Sequence, residues 1–212
     1  MKRFLEIGGV VAGVVLIAFG VAAIVLGVNG KNTIASELNG QQIVGTPDMS
    51  PSGIAAEVKG QPWSKGFALP TCTVASLPVN NGDSARCFAQ YMRIHTLEAT
   101  QGVPYSLMPR YLTADGKGTN DATQALQKDG QPVANAARDI WVTETALTTA
   151  LNTSYMAEQM ANFGIVVGIA LLLSGFGFII LALGGALEAQ SVFASRRKKS
   201  PVEAKSATVV GA

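Results

Sequence analysis

The chain reads as a mainly α membrane protein: two transmembrane helices flank an α-rich extracytoplasmic domain with little β, and a long helix of that domain is continuous with the second span. Three observations predict this. Nothing between Glu6 and Lys31, or between Glu158 and Glu188, carries a charge, and a helix of about 20 apolar residues crosses a hydrocarbon core of roughly 30 Å. Basic residues sit just outside both runs, Lys2 and Arg3 before the first and Arg196, Arg197, Lys198 and Lys199 beyond the second. The segment between the runs is polar and holds both cysteines.

Residues 1–6 form a cytoplasmic N-terminus and 7–28 the first span. A basic flank before an apolar run also describes a secretory signal. Here the run is longer than a signal's apolar core and VLGVNGK lacks a clean small-x-small cleavage site, so a retained anchor is expected. The positive-inside rule then places both termini in the cytoplasm of a multi-pass plasma-membrane protein, with 29–162 on the far side. Charge follows the same division. The 29–162 segment holds nine Lys or Arg against eleven Asp or Glu, and the two ends hold seven against three. The pI near 8.6 is therefore a topology signal, and nucleic acid is not an expected partner.

The first span carries Gly9, Gly13, Gly20 and Gly27, and the second, 163–187, carries Gly164, Gly168, Gly175 and Ala182 at the same spacing. Positions four and seven apart share a helix face, so each span offers a seam of small residues along which another backbone can approach. The spacing leaves open whether the spans pack on each other or on neighbouring chains.

Within the polar segment, Asn32 to Leu38 prolongs the first helix until Asn39-Gly40 stops it, and 41–45 reads as a short strand. Thr46-Pro47 and Ser50-Pro51 are cap-then-proline pairs that start helices, with Ile54, Ala55 and Val58 supplying an apolar face. Trp63 to Leu77 is extended. The turn at 79–83 ends on Asp83 as a cap and launches a helix from Ser84 to about Thr100, with Cys87, Tyr91, Ile94 and Glu98 on one side. Residues 113–135 form an exposed loop with a brief helix near Asp121 to Gln127.

Cys72 and Cys87 lie in the segment expected to face an oxidising compartment, so a disulfide is the reading, with two buried thiols the alternative. Closing a loop of about 15 residues stabilises by about 3 kcal/mol in the chain-entropy model. Two cysteines without further ligands do not make a structural zinc site.

From Arg138 to Leu187 there is no proline, and no glycine before Gly164, which predicts one helix entering the bilayer. Asp139 is placed to cap it. Its outer half, the stalk 138–162, is rich in threonine, whose branched side chain loses rotamer freedom in a helix. Such a helix needs packing, and Ile140, Leu147, Leu151 and Tyr155 form the stripe expected to be covered. Trp141 lies too far before the span to anchor at the membrane surface and is expected in a core. Residues 188–212 form a basic, disordered cytoplasmic tail. Its Arg196–Lys199 cluster serves as a topology determinant, with lipid headgroups as a second use.

QQIVGTPDM at 41–49, YMRIHTLEAT at 91–100, RDIWVTETALTTALN at 138–152 and FGIVVGIALLL at 163–173 together resemble a family of two-span membrane proteins from actinobacteria. The resemblance covers nearly the whole chain. Members often carry the label "aromatic ring-opening dioxygenase". Extradiol ring opening needs iron held by two histidines and a carboxylate. This chain has one histidine, His95, so the label does not transfer.

His95 lies within the 84–100 helix beside Tyr91 and Glu98. Histidine changes charge in the physiological range and can serve as a pH switch, but an ordinary, partly exposed helical histidine is the plainer reading. No GxSxG elbow or glycine-rich phosphate loop is present. No catalytic residue, cofactor or metal is expected. The composition points to a non-enzymatic protein acting by protein–protein contacts as an envelope assembly factor or accessory subunit. The alternative is a ligand-binding or sensing module signalling through the stalk. Expected partners are the lipid bilayer and either a second copy of the chain or another membrane protein.

Overall fold

The computed structural model describes residues 2–184, which are mainly helical: α1 (Lys2–Gly40), α2 (Pro51–Glu57), α3 (Gly82–Ala99) and α4 (Ala137–Leu183), with one small hairpin of β1 (Gln127–Lys128) and β2 (Gln131–Pro132). The end of the second predicted span, 185–187, and the tail 188–212 with its basic cluster lie outside the described residues. α1 and α4 are long and apolar enough to cross a membrane. The chain divides into two compact units. One joins α1 up to Val25 with α4 from Ile165, and the other is Leu26–Gly164.

In the first unit the two helices run antiparallel and meet along the small-residue seams. A Cβ built on Gly13 would lie 2.7 Å from the carbonyl oxygen of Gly175, and one on Gly175 would lie 2.7 Å from that of Gly13. Gly20 and Gly168 repeat the relation at 2.8 and 2.7 Å. Real side chains do not fit at such distances, so the backbones approach only because these residues are glycine. Ile17 and Ile24 cover Gly175 and Gly168, while Ile179 and Leu172 cover Gly13 and Gly20; Ala182 sits on Gly9. The two apolar helices thus pack on each other. Close packing of this kind holds helices together where lipid tails remove the hydrophobic drive. Phe4, Phe19, Leu173 and Ile180 are each more than half exposed on the outside of the pair, an apolar exterior suited to hydrocarbon and not to water.

The second unit is built around α3. Asn81 caps it: the Asn81 side chain accepts the Ser84 N–H at 2.8 Å, and Ser84 Oγ accepts the Asn81 N–H at 3.1 Å. The helix therefore starts two residues earlier than expected, and Asp83 stands in its first turn, where a negative charge suits the helix dipole. Ala85, Phe88, Tyr91 and Ile94 are buried against Leu38 of α1, Leu151 of α4, and Met49, Ile54, Val74 and Val79 from the intervening segment. A second cluster joins Leu97, Met108 and Trp141, and Trp63 packs against both.

The strand expected at 41–45 is reduced to single bridges, Val44 with Pro78 and Gly45 with Ala75. Pro78 has no N–H to extend a ladder, and Ser76 adopts φ 55°. Ser50 caps α2 by accepting the Gly53 N–H at 3.1 Å, whereas Thr46-Pro47 forms a turn instead of a helix start. Ile54 and Val58 are buried as expected, but Ala55 faces out. The brief helix expected near 121–127 does not form. That stretch turns into β1, because Asp129 and Gly130, at φ 55° and 76°, make the two-residue turn that a hairpin favours.

α4 begins at Ala137, whose N–H is accepted by Asn135 Oδ1 at 3.1 Å; Asp139, expected as the cap, lies inside the first turn. On the stalk, Trp141, Glu144 and Leu151 are buried, with Leu147, Tyr155 and Glu158 half-buried. Ile140 departs from the expected stripe at 41 % exposed. The stripe is rotated toward Trp141, whose Nε1–H donates to the Val103 carbonyl at 3.0 Å and whose ring lies 5.5 Å from the Arg93 guanidinium carbon. Stalk hydroxyls bond back along the helix, Thr153 to the Thr149 carbonyl at 2.8 Å and Ser154 to that of Ala150 at 3.1 Å, so they need no other partner.

Candidate functional site

The second unit gathers four titratable side chains from three elements. Asp48 stands in the turn that precedes α2, Glu57 ends α2, and His95 and Glu98 lie one turn apart on α3. The turn is set by the Met49 N–H donating to the Thr46 carbonyl at 3.0 Å, and the Ser50 cap then directs α2 so that its last residue reaches α3. His95 Nε2 is 2.7 Å from Asp48 Oδ2 and 3.7 Å from Glu57 Oε2.

Two carboxyls face one imidazole, and a third, Glu98, acts on Glu57, which creates competing demands. Hydrogen bonding to Glu98, then burial, then repulsion from Glu98 and Asp48 push the Glu57 carboxyl up to about 7. Burial opposes ionisation of Asp48, but hydrogen bonds from Thr46 and from its own backbone N–H, together with His95, outweigh it and hold that carboxyl below the usual range. The Glu57 Oε2 atom has no accessible surface and accepts no hydrogen bond among the described residues.

His95 also stands in the wall of an open cleft of about 480 Å³, lined mostly by apolar side chains that include Ile43, Met49, Phe88, Met92 and Leu147. A largely apolar recess with a few titratable groups at one side is the usual form of a binding site. A second recess of about 480 Å³ lies along the stalk between Tyr105 and Thr149, floored by Trp141, Val142, Thr145 and Ala146.

Of the residues singled out from sequence, Cys72 and Cys87 are joined, with Cα atoms 6.1 Å apart. The Tyr91 hydroxyl, one turn after Cys87, donates to the Cys72 carbonyl at 2.6 Å, so the extended segment is tied to α3 twice. Gly9, Gly13 and Gly20 of α1 and Gly168, Gly175 and Ala182 of α4 form the seam of the helix pair. Gly27 is buried and Gly164 half-buried, both in the Leu26–Gly164 unit. His95, read as an ordinary, partly exposed helical histidine, is partly exposed on α3, and Asp48 and Glu57 also approach it. Sequence reasoning did not find Asp48 or Glu57. The local signal was the His95-to-Glu98 spacing of three, which puts both on one helix face; the other two arrive through tertiary packing. Comparison of the chain with protein-family models, curated proteins and solved structures finds no significant match.

Proposed function

We propose that the chain is a non-enzymatic, multi-pass plasma-membrane protein with both termini in the cytoplasm, whose 29–162 domain acts outside by protein–protein contacts as an envelope assembly factor or accessory subunit. The observation that carries this reading is the outer face of the stalk. Val142, Ala146, Thr149, Thr153, Met156 and Met160 recur at alternating spacings of four and three and are all exposed. A seam of that period accepts a second helix, and small residues at its centre let the partner come close. Membership of the actinobacterial two-span family, proposed on the four segments quoted above, agrees with this reading.

A photo-crosslinking amino acid placed at Thr149 tests it in native membranes, with Lys117 in an exposed loop as the control position. The expected outcome is a discrete protein adduct at 149 and none at 117, either to another membrane protein or to a second copy. Adducts only to lipid, or equal adducts at both positions, would contradict the proposal. The sensing alternative is favoured by a separate observation, the apolar cleft with His95 in its wall.

A further inference from the structure

We propose that Asp48, Glu57 and His95 form a binding site for a divalent transition-metal ion of the zinc or manganese class. The site joins the turn before α2, the end of α2 and the middle of α3, and it stands independently of the partner-binding reading of the stalk.

The donors converge. One ligand atom from each of the three residues lies within 4.8 Å of the others, with His95 Nε2 at 2.7 Å from Asp48 Oδ2 and 3.7 Å from Glu57 Oε2. An ion bonded at about 2.0–2.2 Å to nitrogen and oxygen holds its donors roughly 3 to 4 Å apart, so small side-chain rotations suffice. The three residues come from separate elements that the core fixes: Ile54 of α2 and Ile94 of α3 are buried, and the two helices carry Glu57 and His95 with them. All three side chains are partly exposed, so an ion reaches them from solvent.

A second observation points to a cation. Glu57 Oε2, directed at His95, is without accessible surface and without a hydrogen-bond donor among the described residues. A buried carboxylate oxygen left this way is costly, and a metal ion supplies what it lacks. Glu98, on the same face as His95, adds a third carboxyl beside Glu57, so the surroundings carry an excess of negative charge that a divalent ion offsets. The donor set selects among ions. One imidazole with two carboxylates suits zinc, manganese or copper, whereas calcium and magnesium sites are built from oxygen alone.

His95 is the chain's only histidine, which makes the test direct. The full chain, purified in detergent with a histidine-free tag and stripped with EDTA, is titrated with Zn²⁺ by calorimetry and loaded with one equivalent of Cu²⁺ for pulsed EPR. Expected are one Zn²⁺ per chain, affinity reduced at least tenfold in Glu57→Gln, unchanged affinity in Glu37→Gln, and imidazole nitrogen modulation in the Cu²⁺ spectrum that disappears in His95→Gln. The wild-type EPR signal needs no variant, so a misfolded substitution cannot mask the answer. Absence of stoichiometric Zn²⁺ binding, or bound Cu²⁺ without imidazole modulation, would overturn the proposal. Affinity that survives both substitutions would identify an adventitious ion only.

Discussion

Glu57 and Glu158 show how single carboxylates are held in this fold by opposite means. The Glu57 carboxyl is raised to about 7 from an ordinary 4.5, so the folded chain keeps a proton that the unfolded chain releases. Its contribution to stability is complete below about pH 4.5 and fades as pH rises through about 7. In EDTA-treated protein, Glu57→Gln should flatten the fall in stability between those values and exceed wild type at pH 8 by about 1 kcal/mol, followed by urea unfolding. Glu158 is satisfied instead. One of its oxygens accepts the Gly82 N–H at the start of α3, and the other lies 3.5 Å from Lys31 Nζ, which also donates to Asn162 Oδ1 at 2.9 Å. Glu158→Ala strands the Gly82 N–H and should cost about 2 kcal/mol, with Lys31→Met costing less; a double-mutant cycle measures the coupling between them. At this scale the sequence was only partly legible. His95 and Glu98 are three apart on one helix and announce a shared face, but nothing local brings Asp48 or Glu57 to them.

Elements were more legible where one physical effect dominates. The uncharged runs mark α1 and α4 because burying charge in hydrocarbon is so costly, and the absence of proline predicts α4 as one helix from Ala137 through Leu183. The failures lie where effects compete. The 121–127 helix lost to the Asp129-Gly130 turn, a hairpin signal present in the sequence, and of the stalk stripe Leu147, Leu151 and Tyr155 are covered while Ile140 yields its place to Trp141. Seam glycines are distinguished from the others by their neighbours, not by their number. A Cβ on Gly168 would meet the Gly20 carbonyl oxygen at 2.7 Å, whereas one on Gly177 meets nothing within 4 Å. Gly168→Val should therefore destabilise the helix pair by about 1–3 kcal/mol, while Gly177→Val leaves it near neutral, read as thermal unfolding in detergent. The Cys72–Cys87 bond acts in the other unit. Cys72→Ser together with Cys87→Ser should cost about 2–4 kcal/mol, measured by urea unfolding, while the Tyr91 hydroxyl still ties the segment to α3.

For the molecule as a whole, the chemistry of each unit suits a different solvent. The paired helices expose Phe, Leu and Ile and bury glycine, and the Leu26–Gly164 unit buries Tyr91, Ile54, Val74 and Val79 while exposing charge. That contrast was visible in the distribution of charge along the chain. Which side of the membrane the polar unit would occupy rests on the basic flanks, and the proposed contacts of the stalk depend on it. The direct measurement is labelling of Asp129→Cys, in the exposed hairpin turn, by a membrane-impermeant maleimide, with the Cys72–Cys87 bond left intact as an internal blank. The proposed topology predicts labelling of intact cells equal to that of lysed cells and none in the wild-type chain. Labelling of position 129 only after lysis would place the unit in the cytoplasm and contradict it.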